Sequence, residues 1–167
     1  MKKKIRQYIG LFSAIAAYYT VHEGAHFLYA KAIGVYKSAH FLGLGMQVEV
    51  FAECMTEQQL GLFCTVGAAA TLTVAYLLVF LSDHLSRKTA GIPRACLYYI
   101  TLAMLFVDPL YLGILFRCFG GGDMNGITLL ISPTAAQVLF CTLLVFHIFL
   151  FCRIVLPRYR IACQEES

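Results

Sequence analysis

Residues 5–33 read IRQYIGLFSAIAAYYTVHEGAHFLYAKAI, and the reading of this stretch decides the fold. It is mostly apolar, and as a helix rising ~1.5 Å per residue it exceeds the roughly 20 residues that cross the ~30 Å hydrocarbon core of a bilayer. Toward its C-terminal end it nevertheless carries Val21-His22-Glu23-Gly24-Ala25-His26. On insertion scales a charged residue at a membrane helix centre costs ~2.5–3.5 kcal/mol, so a glutamate flanked by two histidines demands a compensating partner. A signal peptide is the other reading of the segment, because Met1 to Arg6 form a basic n-region ahead of an apolar run. The run is too long for one, and it contains the ionisable trio.

A bound cation is the partner that fits. Helix positions four apart lie on one face, so the imidazoles of His22 and His26 can reach one Zn²⁺ at ~2.0–2.1 Å. Glu23, one step round the helix, is placed to hold a water molecule and accept its proton, the division of labour in an HExxH motif. Gly24 and Ala25 are small enough to let another helix or a substrate backbone come close.

Outward from this stretch the rest of the chain is equally apolar. Of its 167 residues 60% are hydrophobic and 13% charged, outside the range of soluble domains. Three further apolar stretches follow, at about 58–82, 93–119 and 133–156. The expected fold is an all-α integral membrane protein of about four transmembrane helices, with a short β-hairpin or strand between helices 1 and 2. Thr56 and Gln59 form a capping box at the start of the second helix, and Ser82-Asp83-His84 marks its end. Asp108-Pro109 is expected to kink or break the third helix, and Pro157 to stop the fourth. Between helices 1 and 2, Met46-Gln47-Val48-Glu49-Val50 alternates apolar and polar after Gly43 and Gly45, the pattern of a strand.

Charge sets orientation. With the N-terminus in the cytoplasm, one side carries Lys2, Lys3, Lys4, Arg6, Arg87, Lys88, Arg94, Arg153, Arg158 and Arg160, and the other only Lys31, Lys37 and Arg117. The positive-inside bias then puts both termini in the cytoplasm. The net charge of +4 reads as topology and attraction to anionic headgroups, so no nucleic-acid partner is expected. The seven cysteines include no CxxC pair, which excludes zinc-finger and thioredoxin-like readings; Cys54 and Cys118 both fall in expected outer loops, where a disulfide could join them.

A catalytic zinc takes three protein ligands and leaves a position for water. Candidates for the third are Asp108, Asp123, His40 and His147. His22 and His26 lie ~22–28 Å along the first helix, near the outer face. Asp123, in Gly120-Gly121-Gly122-Asp123-Met124-Asn125-Gly126, is favoured because this outer segment lies where the histidines emerge, although the same residues also suit an ordinary turn. Asp108, in Leu105-Phe106-Val107-Asp108-Pro109-Leu110, reads first as an acceptor behind an imidazole N–H, and otherwise as the ligand itself or as a partner for Arg117.

An HExxH near the end of the first apolar helix, followed about 100 residues later by Asp123 in an Asp-x-Asn-Gly context, resembles the site-2 protease family of intramembrane metalloproteases, over most of the chain. The resemblance implies that His22, His26 and Asp123 ligate Zn²⁺, that Glu23 is the general base, and that residues 1–167 are one membrane-embedded metallopeptidase domain cutting membrane-tethered proteins or peptides. In that family the aspartate is commonly followed directly by glycine, whereas here Met124 and Asn125 intervene. Gly67-Ala68-Ala69-Ala70-Thr71 weakly resembles a glycine-containing patch of the family, and reads better as small-residue helix packing. The resemblance also implies that an unwound substrate could add a strand beside Met46, Val48 and Val50, and that Asn125 could donate to the developing oxyanion. The expected location is the plasma membrane of a prokaryote, with the active site toward the outer leaflet. The competing readings are a membrane protein that binds haem or moves metal through His22, His26 and His147, and a catalytically silent scaffold. The sequence leaves the oligomeric state open.

Overall fold

The computed structural model describes residues 2–42, 45–118 and 122–164. Helix α1 spans Lys2–Ala32, and the strands β1 (Tyr36–Leu42) and β2 (Gly45–Val50) follow it. The chain then runs through α2 (Glu57–Lys88), α3 (Gly91–Gly113), the short α4 (Asp123–Ile127), α5 (Pro133–Leu150) and α6 (Leu156–Gln164). Short 3-10 turns cover Ala52–Cys54 and Leu115–Arg117. The protein is thus mainly helical, with one two-stranded antiparallel sheet between the first two helices.

Three helical stretches are long and apolar enough to cross a membrane: Glu57–Lys88, Gly91–Gly113 and the continuous Pro133–Gln164. The fourth expected span, α1, has the length at 31 residues but not the same apolar character. Its second half is diluted by Tyr18, Tyr19, Thr20, His22, Glu23 and His26. Leu28, Phe80 and Val145 are 68%, 81% and 68% exposed, part of an apolar outer surface that lipid accommodates better than water does.

The expected capping box opens α2. The Gln59 amide donates to Thr56 Oγ1 at 3.2 Å, and the Thr56 amide donates to Gln59 Oε1 at 2.9 Å. The helix runs on past Ser82-Asp83-His84 to Lys88, and Arg87 Nε pairs one turn back with Asp83 Oδ1 at 3.1 Å. Helix α3 also departs from expectation, since it continues through Pro109 and ends four residues later at Gly113. Proline cannot supply an amide to the carbonyl four residues before it, and that carbonyl belongs to Leu105. His147 of α5 fills the gap, with Nδ1 2.5 Å from the Leu105 oxygen. Neighbouring helices commonly satisfy carbonyls freed in this way inside membranes.

Pro157 does not stop the last helix. A π-helical turn over Phe151–Val155, in which the Leu156 amide bonds to the Phe151 carbonyl, lets the helix pass the proline and continue to Gln164.

The hairpin pairs Ala39 with Val48 and His40 with Gln47. Gly43, placed by the sequence before the strand, lies outside the described residues. On the exposed face, Ser38 Oγ (3.2 Å), Lys37 Nζ (3.4 Å) and His40 Nε2 (3.4 Å) gather round Glu49 Oε2. The Ser38 hydrogen bond, with the Lys37 ammonium behind it, holds the Glu49 carboxyl below the usual carboxylate range. Cys54 and Cys118 are both exposed free thiols.

The bundle buries two apolar clusters. One gathers Ala30, Phe63, Ala68, Leu112, Met124 and Phe140, and the other Ala75, Val79, Met104, Leu105, Val155 and Tyr159. Between the two, on α1, α2 and α3, lie the buried polar residues His22, His26, Thr71 and Asp108. A polar layer in an apolar bundle must satisfy itself internally, which directs attention to what these groups touch.

Candidate metal centre

Tyr18, His22 and His26 recur every four residues on α1 and therefore share one face. Both imidazoles are buried, at 7% and 3% exposure. Their Nε2 atoms lie 3.2 Å apart. Asp123, in the first turn of α4, brings Oδ2 to 3.1 Å from His22 Nε2 and 3.4 Å from His26 Nε2. The three atoms form a nearly equilateral triangle.

With Zn–N and Zn–O bonds of about 2.0–2.1 Å, neighbouring ligand atoms of a tetrahedral site lie about 3.3 Å apart. The triangle has the dimensions of one face of that tetrahedron. Two imidazole lone pairs and a carboxylate oxygen converging in a buried layer repel one another unless a cation or protons stand among them. The donor set, two imidazoles and a carboxylate, is one that zinc accepts.

Glu23 lies beside the triangle, and the ligating atoms of His22, Glu23 and His26 are all within 4.8 Å of one another. Its Oε2 accepts a 3.0 Å hydrogen bond from the Val48 amide. That amide points away from β1, off the edge of β2 that no strand pairs among the described residues, and by strand alternation the main-chain groups of Met46 and Val50 share the same edge. The segment expected to receive a substrate strand therefore has its edge at Glu23.

Asp108, 1% exposed, lies behind His22 with Oδ1 3.3 Å from Nδ1. Tyr18 donates to Asp108 Oδ1 at 2.5 Å, and the Thr71 hydroxyl donates to Oδ2. His22 Nδ1 faces two oxygens, the Tyr18 hydroxyl at 3.3 Å and Asp108 Oδ1 at 3.3 Å, and an oxygen acceptor there fixes the tautomer that turns the Nε2 lone pair toward a metal. Asp108 is thus at the back of the imidazole, and Arg117 instead donates to Gln137 Oε1 at 3.3 Å. His26 Nδ1 is buried with no hydrogen-bond partner among the described residues. Replacing Asp108 with Asn should lower metal affinity by about 10- to 100-fold while the chain still folds. Zinc titration of the purified variant checks this; an affinity equal to wild type would deny Asp108 a positioning part.

Two glycines shape the centre. A Cβ on Gly67 of α2 would lie 2.5 Å from His26 Nε2 and 2.7 Å from His22 Nε2, so this position leaves space beside the donors. Gly122, just before Asp123, has φ of +43°, and a Cβ there would meet the Tyr111 hydroxyl at 2.5 Å. Gly67→Ala should push the two imidazoles aside and weaken zinc binding, read by zinc titration of the purified variant. An affinity equal to wild type would show that the space is incidental.

The remaining sequence candidates lie elsewhere. His40 is on the exposed face of the hairpin with Glu49. Both ring nitrogens of His147 are engaged, Nδ1 with Leu105 and Nε2 with the Tyr76 hydroxyl at 2.9 Å, so it supports the helices rather than the metal centre. Asn125 is exposed, and two positions along a helical turn puts it about 200° round from Asp123. Tyr18, Gly67 and Thr71 belong to the site without having been singled out for these contacts; the polar residues four apart on α1, and the Gly67/Thr71 pair four apart on α2, were the available signal.

Compared with known proteins, the chain matches no family model, no curated protein and no solved structure.

Proposed function

We propose that this protein is a zinc-dependent intramembrane endopeptidase that hydrolyses peptide bonds of membrane-tethered proteins or peptides, a small relative of the site-2 protease family. The observation that carries the reading is the triangle of His22 Nε2, His26 Nε2 and Asp123 Oδ2, with sides of 3.1–3.4 Å and the Glu23 carboxylate beside it. His22, His26 and Asp123 would hold the ion. When bound, zinc lowers the pKa of water from ~15.7 toward ~7 and polarises a carbonyl.

The chain's own residues supply the rest. Glu23 accepts the proton of the attacking water and returns it to the leaving amine. Asp108, held by Tyr18 and Thr71, keeps His22 in the ligating tautomer. The Met46 and Val50 main-chain groups, on the edge of β2 that no strand pairs among the described residues, would receive an extended peptide, which would run past Glu23.

Four membrane crossings complete the reading, with α1 joining the three apolar helical stretches and the polar layer satisfied from within the bundle. Both termini then lie in the cytoplasm, beside the basic residues, and the centre lies toward the outer leaflet of a prokaryotic plasma membrane.

The test is direct. Purified, detergent-solubilised protein should contain one zinc per chain and cleave a membrane-tethered reporter. A chelator should abolish cleavage and added zinc restore it. Full cleavage by metal-free protein would end the proposal.

A further inference from the structure

At the opposite end of the bundle from the metal centre, α1, α3 and α6 line an open cavity of about 1330 Å³. Arg6, Arg94 and Arg160 line it together with Tyr98, Tyr99 and Tyr159, and no aspartate or glutamate is among the described lining residues. Arg94 is 7% exposed and fixed in the wall, where Nε donates to the Thr89 carbonyl at 2.7 Å and Nη1 to the Ala162 carbonyl at 2.6 Å. Arg6 and Arg160 are exposed and make no ion pair among the described residues.

We propose that this cavity binds the phosphate-ester headgroup of an anionic glycerophospholipid. Two exposed guanidiniums, Arg6 from α1 and Arg160 from α6, line one space whose wall holds Arg94, itself bonded to backbone carbonyls, and guanidinium forks match phosphate oxygens in bidentate fashion. The aromatic rings and Leu156 give the same space an apolar wall for glycerol and the upper acyl chain. Its volume exceeds the ~300–1,000 Å³ typical of pockets for small molecules, which favours a lipid over a free phosphate ester. The cavity also opens at the end of the chain where Lys4, Arg87, Lys88, Arg153 and Arg158 accumulate, the end that faces anionic headgroups in the orientation set by charge. None of this depends on the metal centre.

The test is native mass spectrometry of the full chain in detergent, titrated with phosphatidylglycerol, with phosphatidylcholine, and with glycerol phosphate as the headgroup alone. Wild type should retain phosphatidylglycerol in preference to phosphatidylcholine. A charge-assisted hydrogen bond to a phosphate contributes roughly tenfold or more, so Arg6→Gln/Arg160→Gln should weaken phosphatidylglycerol binding about 100-fold. Arg153→Gln, which removes a charge at the same end but outside the cavity, should cost no more than the roughly fivefold of one surface charge. An equal loss in Arg153→Gln, or no loss in the double variant, would reduce the effect to general surface charge and overturn the site. Glycerol phosphate binding as tightly as the lipid would overturn the lipid assignment in favour of a soluble phosphate ester. Because the readout is lipid bound per chain, its failure leaves the peptidase proposal untouched, and loss of the peptidase proposal leaves this one standing.

Discussion

Glu23→Gln should lose about 10⁴-fold in cleavage of a membrane-tethered reporter while retaining one zinc per chain. General-base contributions span about 10²–10⁴-fold, and the upper end is expected where a carboxylate stands beside the ligand triangle. Glutamine keeps the shape of the side chain and an oxygen that can still accept the 3.0 Å hydrogen bond from Val48, so the hairpin should keep its place. Only the ability to take a proton is lost. Turnover and metal content must therefore be measured on the same preparation. Wild-type turnover would remove Glu23 from the chemistry, and loss of zinc together with turnover would make it a ligand instead of a base.

Asp123→Ala should lose both zinc and cleavage, because its Oδ2 is the one atom that closes the triangle with the two imidazoles. Two histidines alone leave a zinc site short of the three protein ligands that catalytic centres use. The informative comparison is with Asp108→Ala. Asp108 reaches His22 through Nδ1, on the side of the ring away from the triangle, so its removal should weaken metal binding without eliminating it. Elemental analysis of the two variants decides between them. Zinc lost from Asp108→Ala but kept by Asp123→Ala would reverse the two roles.

What could be read in the sequence was what is local. The HExxH face needs only the pitch of a helix, and the Thr56 capping box only a three-residue offset, so both were visible before any packing was known. The strand at Met46 to Val50 announced itself by alternation. The two prolines were misleading for one reason: the effect of a proline depends on whether something else satisfies the carbonyl it abandons. For Pro109 that something is His147, distant in sequence, and for Pro157 it is a change of helical pitch one turn earlier. The same residue, His147, had drawn attention as a metal ligand because a buried ionisable group in a membrane helix signals function, and here its partners are a carbonyl and a tyrosine. Thr71 and Gly67 were hidden for a related reason, since their importance lies in the facing helix. The Gly67 to Thr71 run was legible as small-residue packing, but not the fact that what packs there is the pair of imidazoles.

The triangle has a further consequence for the molecule as a whole. Its corners come from opposite ends of a long loop of chain, since His22 and Asp123 are 101 positions apart, and α4, which carries Asp123, is only five residues long. So short a helix has little cohesion of its own. An ion shared between α1 and α4 would act as a clasp on the fold, and its binding energy would count as folding energy. Heat resistance should therefore rise with free zinc concentration, as for any ligand that recognises only the assembled form. Depletion of the metal would then loosen the end of the bundle that carries the triangle.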